Sequence, residues 1–463
     1  MAPMATPETT TILHRCRIAP PPGTALQSLP LTFFDMVWLH FNPIQRLLFY
    51  EYPCSTTHFL ETLIPNFKKS LSQTLKHFLP LAGNLIYPLN SGTQPQFLYL
   101  PGDSVSVTIA ESIRASEYFN YLTGNKPRNA DDFYAFVPDL PQPKIEHKSS
   151  CKIIPVFAIQ ITLFPETDIC VGFTNHHAVG DASSIVGFIK AWSSIATLGK
   201  DDELLATEKS LPFYDRSVVK DQLGVGNTFW TQMDVFRVES LPLKFPINKV
   251  RSTYILRKND IQKLKNLIQA KKLNLTYLSS FTITTAYIWT CLIKSATAAG
   301  EDVNDTEPEH FVFAVDARRR LDSPVPATYF GNCVAFGATK DMHGKLKGDE
   351  GLFVAAELIG EVIVKKVNNK DEILRDAENW MSKLGCLIPK RCFGVAGSPR
   401  FDMYDTDFGW GKPVKYEAVS IDGAGSMSLC KSREFEGGLE IGLSLPKKKM
   451  DAFADIFYAG LNM

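Results

Sequence analysis

The residues best placed to do chemistry in this chain are a histidine pair followed closely by an aspartate, in Thr174-Asn175-His176-His177-Ala178-Val179-Gly180-Asp181. An imidazole can exchange a proton near neutral pH without a large pKa shift, which suits a general base. The spacing alone is weak, because the chain holds nine histidines and a buried, hydrogen-bonded structural histidine is the commoner use of such a residue. Its surroundings set this one apart. Ile169-Cys170-Val171-Gly172-Phe173 is short, apolar and β-prone, whereas Ile185, Phe188, Ile189, Trp192 and Ile195 recur at helical spacing until Gly199 offers a C-terminal cap. His177 is therefore expected at a strand-to-helix junction, with Ala178 and Gly180 small enough to let another group approach the ring. No other histidine has an aspartate four residues on.

Other chemistries have weaker support. A metal held by His176, His177 and Asp181 is disfavoured, since neighbours at a strand end point to opposite faces and both imidazoles rarely reach one ion. The chain has no Gly-x-Ser-x-Gly elbow and no phosphate-binding Gly-x-x-x-x-Gly-Lys loop. Gly224-x-Gly226 lacks the third glycine of a dinucleotide site.

The elements that must position the histidine follow from patterning. Residues 156–164 alternate as a strand, and Pro165-Glu166-Thr167-Asp168 turns the chain back antiparallel into the strand that carries the histidines. Before this, the aromatic-rich residues 29–49 belong to a core. Residues 59–77 read as an amphipathic helix restarted at Pro65, and residues 96–100 and 104–109 read as strands. Residues 211–227 carry few regular signals. The second half predicts helices over 258–271, 278–296 and 351–367, a strand over 311–315 and a closing pair of strands over 426–431 and 439–445.

At 463 residues the chain is long for one core, so two α/β halves are expected: residues 1–200, a crossover over 201–230, and residues 231–463. Forty-nine basic residues balance 49 acidic ones, which favours neither nucleic acid nor an anionic membrane. No window reaches the apolar length of a membrane span. The nine cysteines are scattered, without a Cys-x-x-Cys pair, so neither a disulfide framework nor structural zinc is expected and a reducing cytoplasm fits.

A second motif, Asp407-Phe408-Gly409-Trp410-Gly411, paired with His177-Ala178-Val179-Gly180-Asp181, resembles the plant BAHD acyl-CoA-dependent acyltransferase family. Tyr329-Phe330-Gly331-Asn332-Cys333 resembles the signature of the branch acting on anthocyanins and other flavonoid or phenolic glycosides. Leu79 to Asn84, Pro212 to Ser217 and Val395 to Pro399 extend the likeness over essentially the whole chain. The resemblance implies an α/β fold of two chloramphenicol-acetyltransferase-like domains, with mixed sheets flanked by helices and a channel between them.

It also implies a reaction. His177 would take a proton from a sugar hydroxyl as that oxygen attacks the thioester of an acyl-CoA, the co-substrate, with no permanently bound cofactor. Asp181 invites a triad reading, but in the family this aspartate turns away to pair with an arginine of the second half, here Arg318. Asp407, Gly409, Trp410 and Gly411 would support the site structurally. Ser279, Ser280 and Thr282, heading an apolar helix, could meet coenzyme A, since helix starts favour anions; capping is the alternative use. The donor is read as malonyl-CoA, with a hydroxycinnamoyl-CoA alternative, because Ala182-Ser183-Ser184-Ile185 supplies no cation beyond the first motif. The expected partners are acyl-CoA and a phenolic or flavonoid glycoside, neither nucleic acid nor membrane, and the expected state is a monomer. The reading from another class is a small-molecule binding protein of the same fold without turnover.

Overall fold

In this computed structural model the described residues are 9–89, 93–114, 116–199, 211–232, 247–271, 275, 277–387 and 390–462. They form three sheets of six, seven and five strands with helices packed against them.

The six-stranded sheet is built around strands Phe157–Phe164 and Asp168–Asn175, both buried along their whole length. Such continuous apolar runs suit strands covered on both faces. They pair antiparallel, with Phe164 opposite Asp168 across the tight turn expected there. On the far side of Asp168–Asn175 lies Ile44–Glu51, antiparallel to it. One face of this sheet packs against helices Ile64–Leu75 and Ala182–Leu198, where Phe67 and Trp192 meet edge to face at 4.3 Å. The other face closes over Leu47, Phe49, Phe119, Phe133, Phe136 and Phe164.

The seven-stranded sheet contains Val250–Leu256, Pro308–Asp316, Ser426–Lys431 and Leu439–Leu445, with helices Ser280–Ala298, Gly351–Val362 and Lys447–Leu461 in its layer. Trp289 packs on Phe311 at 5.3 Å, and Tyr254 packs on Phe457 at 5.0 Å.

Two short strands cross between the sheets. Lys415–Ala418, late in the chain, pairs with Ile44–Glu51, whereas Arg128–Asn129, from the first half, pairs with Val250–Leu256. A buried ionic cluster ties these crossings together. Glu417 bonds Arg128 at 2.6 Å and Arg251 at 2.9 Å, and Arg251 also reaches Asp422 at 2.5 Å.

Several boundaries differ from the sequence expectation. The strand expected over 104–109 runs Val105–Ser112, and the helix expected from 278 begins at Ser280. The helix of residues 59–77 opens as a wide π turn, Phe59–Leu63, before Ile64–Leu75, with Pro65 in the first turn where its missing N–H costs nothing. The helix of 351–367 is α-helical only to Val362 and widens over Ile363–Val367. Part of the expected crossover, residues 201–210, lies outside the described residues. Its remainder is more regular than expected, for a helix spans Val225–Gln232. The Asp221 carboxylate accepts from the Val225 and Gly226 N–H groups at 2.7 Å each, holding that helix start.

Candidate active site

His177 opens a single turn, His177–Val179, between strand Asp168–Asn175 and helix Ala182–Leu198. Two side chains make this turn. His176, just before it, accepts from the Ala178 N–H through Nδ1 at 3.2 Å, so its ring is engaged along the backbone. Asp181, just after it, accepts from the Ser184 N–H at 3.2 Å and caps the long helix.

The His177 ring lies flat on the indole of Trp38, with centroids 3.8 Å apart and planes 5° from parallel, and Phe41 meets it edge-on at 6.3 Å. Its Nδ1 is buried without a partner outside its own residue. Burial lowers the pKa of this imidazole from 6.5 to about 3, its own main chain opposing and the Arg46 charge adding to the effect. His176 is lowered to about 4, again chiefly by burial. His177 is therefore neutral at pH 7 and free to accept a proton.

Asp181 does not bond His177. Its carboxylate takes Arg318 in a two-point pair, at 2.8 and 3.0 Å, and accepts from the Cys333 N–H at 3.1 Å. Both side chains are buried, and Arg318 also donates to the Tyr329 and Gly331 carbonyls. Burial lowers the guanidinium pKa but Asp181 outweighs it, so Arg318 stays charged.

Gly331 lets these pieces approach. Its φ of +141° is open to glycine, and a Cβ there would lie 2.1 Å from Arg216 Nη1. The small Gly180 admits the Gly331 backbone and Ser184 rather than a substrate. Asn332 follows, its amide donating to the His177 and Ala178 carbonyls at 3.1 and 3.0 Å. Asp35, fully buried, fixes Asn332 in turn by accepting from its backbone N–H at 2.7 Å and its side-chain amide at 3.2 Å. The chain from Asp35 through Asn332 thus holds the turn that carries the imidazole.

Asp407 forms a different structure. Its Oδ1 collects the N–H groups of Gly409, Trp410 and Gly411 at 2.7, 3.1 and 3.0 Å, and the positive φ of both glycines permits this tight loop. Trp410 packs on Tyr50, Tyr52, Phe67 and Phe408. The motif therefore locks a loop onto the first sheet's helical face and does not touch His177.

Ser279 caps helix Ser280–Ala298 by accepting from the Thr282 N–H at 3.1 Å. Thr282 is fully buried, whereas Ser280 is exposed.

Trp38, Asp35 and Arg46 carry no motif of their own that would single them out. Their only signal is that polar residues sit within an apolar, aromatic stretch. A cavity of about 260 Å³ beside the ion pair is lined by Ser183, Lys190, Pro212, Tyr329 and Phe330, among others, but not by His177.

The Transferase family matches residues 9–459. A malonyl-coenzyme:anthocyanin 5-O-glucoside-6'''-O-malonyltransferase of Salvia splendens is 47% identical over 98% of this chain and 96% of its own. A phenolic glucoside malonyltransferase of Nicotiana tabacum is 45% identical over 97% of this chain and 99% of its own. Vinorine synthase, a solved structure, shares the fold with a TM-score of 0.70 at 21% identity, covering 96% of both chains. With a full-length family match, relatives of this identity and the two motifs in place, the chain belongs to the BAHD acyltransferases of the Transferase family.

Proposed function

We propose that this chain moves a malonyl group from malonyl-CoA to a sugar hydroxyl of a phenolic, flavonoid or anthocyanin glucoside, with His177 as general base. The observation that carries this reading is a neutral imidazole on rigid scaffold, its neighbouring aspartate committed to Arg318, in a chain 47% and 45% identical to two malonyltransferases of glucosides.

The chemistry needs little more. As the sugar oxygen attacks the thioester carbonyl, His177 Nε2 takes its proton, and the tetrahedral oxyanion collapses with loss of the coenzyme A thiolate. The imidazolium returns the proton to that thiolate. A thioester is already activated, so no protein nucleophile is required. A resting pKa of about 3 keeps the ring deprotonated. Negative charge developing beside it then raises its basicity when the proton moves.

Asp181 and Arg318 shape the site between the halves, residues 1–200 and 231–463 joined by 201–230, rather than relay a proton. Coenzyme A phosphates would meet the start of helix Ser280–Ala298, where Ser280 is exposed and the helix dipole favours anions. Thr282, fully buried, supports that end from behind. Nine free cysteines suit a reducing cytoplasm, and the chain is read as a monomer.

A hydroxycinnamoyl donor is the second reading, supported by the absence of a cation in Ala182-Ser183-Ser184-Ile185. The test mixes the protein with malonyl-, acetyl- or coumaroyl-CoA and a phenolic glucoside and follows released thiol. Glucoside-dependent release, fastest with malonyl-CoA, is expected. A coumaroyl-CoA preference overturns the donor, and binding without release from any donor marks a non-catalytic binding protein.

A further inference from the structure

Among the described residues, Arg46 is a buried cation that makes no ion pair. Of the buried arginines among the described residues, Arg128 pairs with Glu417, Arg251 with Glu417 and Asp422, and Arg318 with Asp181. Arg46, 8% exposed, meets only neutral groups: its Nη1 donates to Asn175 Oδ1 at 2.8 Å, and it bonds the Tyr416 hydroxyl. A charge taken out of water with only amide and phenol partners is costly, and an arriving anion would offset that cost.

Its place in the fold says which anion. Arg46 sits on strand Ile44–Glu51 opposite Phe173 of the histidine-bearing strand and opposite Ala418 of the crossing strand, so it lies where the two halves interleave. Asn175, which it holds, stands two residues before His177 and donates to the His176 carbonyl at 3.1 Å. Through Asn175, Arg46 is tied to the segment that carries the imidazole.

We infer that Arg46 is the specificity-determining cation of the acyl donor, receiving the free carboxylate of a malonyl group while its thioester carbonyl lies at His177. This rests on the malonyl reading above and deepens it by naming the charge that Ala182 to Ile185 does not supply. A guanidinium suits the task, since its fork can keep Asn175 and still offer N–H groups to a carboxylate. An uncharged acyl group of similar size has nothing to offer in return.

The experiment compares kcat/KM for malonyl-CoA and acetyl-CoA, with one phenolic glucoside, in the native protein, Arg46→Gln and Arg46→Lys. Both donors carry the same coenzyme phosphates, so their ratio reports the acyl carboxylate alone. Arg46→Gln is expected to cut the malonyl-to-acetyl ratio by about 10- to 100-fold, the scale of one charge-assisted hydrogen bond, and Arg46→Lys to keep part of it. Equilibrium binding of malonyl-CoA and acetyl-CoA to the same proteins gives a second ratio that does not need turnover. A parallel fall for both donors makes Arg46 structural and overturns the inference, as does an unchanged ratio. A native protein that transfers other acyl groups but not malonyl overturns the donor reading itself, a distinct result.

Discussion

Asp181 gives both carboxylate oxygens to Arg318, 137 residues away in sequence, while His177, four residues before it, receives none. Asp181 is thereby a clamp between the histidine turn and the Arg318 segment. Removing either partner strands a buried charge. Asp181→Ala and Arg318→Ala should each cost about 3–5 kcal/mol in stability, and the double variant should lose much less than the sum. Denaturant unfolding of the four proteins checks this, and additive losses would contradict the pairing.

Asn332 should matter through the turn it holds. Asn332→Ala removes two bonds to the His177 and Ala178 carbonyls and one donor to the buried Asp35. Each buried group left unpaired costs about 1–3 kcal/mol, and a small shift of the imidazole should lower kcat by roughly 10-fold or more. Steady-state kinetics beside thermal unfolding separates the two effects. An unaltered kcat in a destabilised protein would show that Asn332 does not position the ring.

The buried imidazoles set the pH behaviour. His177 at about 3 and His176 at about 4 both lie below the ordinary 6.5 because burial disfavours their charged forms. Between 6.5 and those values the unfolded chain binds protons that the folded one refuses. Their contribution to stability is therefore full above about 6.5 and falls as the pH drops toward 3. In the free protein the His177 ring should show no NMR titration near 6.5, and kcat/KM should show no acid limb there. A ring signal that titrates near 6.5 would overturn the burial argument.

Glu417 anchors both strand crossings. Burial pushes its carboxyl up, yet Arg128, then Arg251 and Lys415, outweigh this and bring it from 4.5 to about 2. Its stabilisation is present above 4.5 and is lost as the pH falls toward 2. Glu417→Gln leaves two buried arginines short of a charge and should cost about 3–5 kcal/mol at pH 7. The loss relative to the native protein should shrink at acid pH, as chemical denaturation at pH 7 and pH 3 would reveal.

Much of this arrangement is legible in the sequence, for reasons visible residue by residue. The fully buried pair Phe157–Phe164 and Asp168–Asn175 announces itself because two apolar runs flank a Pro-Glu-Thr-Asp turn, and Gly199 marks the helix end with φ +65°. His177, Asp181 and Arg318 stand out through motif and resemblance. What escapes is long-range pairing. Nothing in Lys415–Ala418 says that it pairs with a strand some 370 residues earlier, and nothing in Arg46 or Asp35 says which polar group it will meet. Trp38 reads as one more core aromatic. Its stacking on the imidazole depends on how two distant segments pack, which periodicity does not encode.

If His177 is the base for acyl transfer from coenzyme A to a glucoside hydroxyl, its removal must stop most turnover while sparing binding. Glucoside-dependent thiol release from malonyl-CoA is compared between the native protein and His177→Ala, with His176→Ala as the control for the neighbouring ring. In His177→Ala kcat should fall roughly 10²- to 10⁴-fold, with coenzyme binding and fold largely kept, and His176→Ala should show a milder change. A His177→Ala protein that retains near-native kcat would contradict that role.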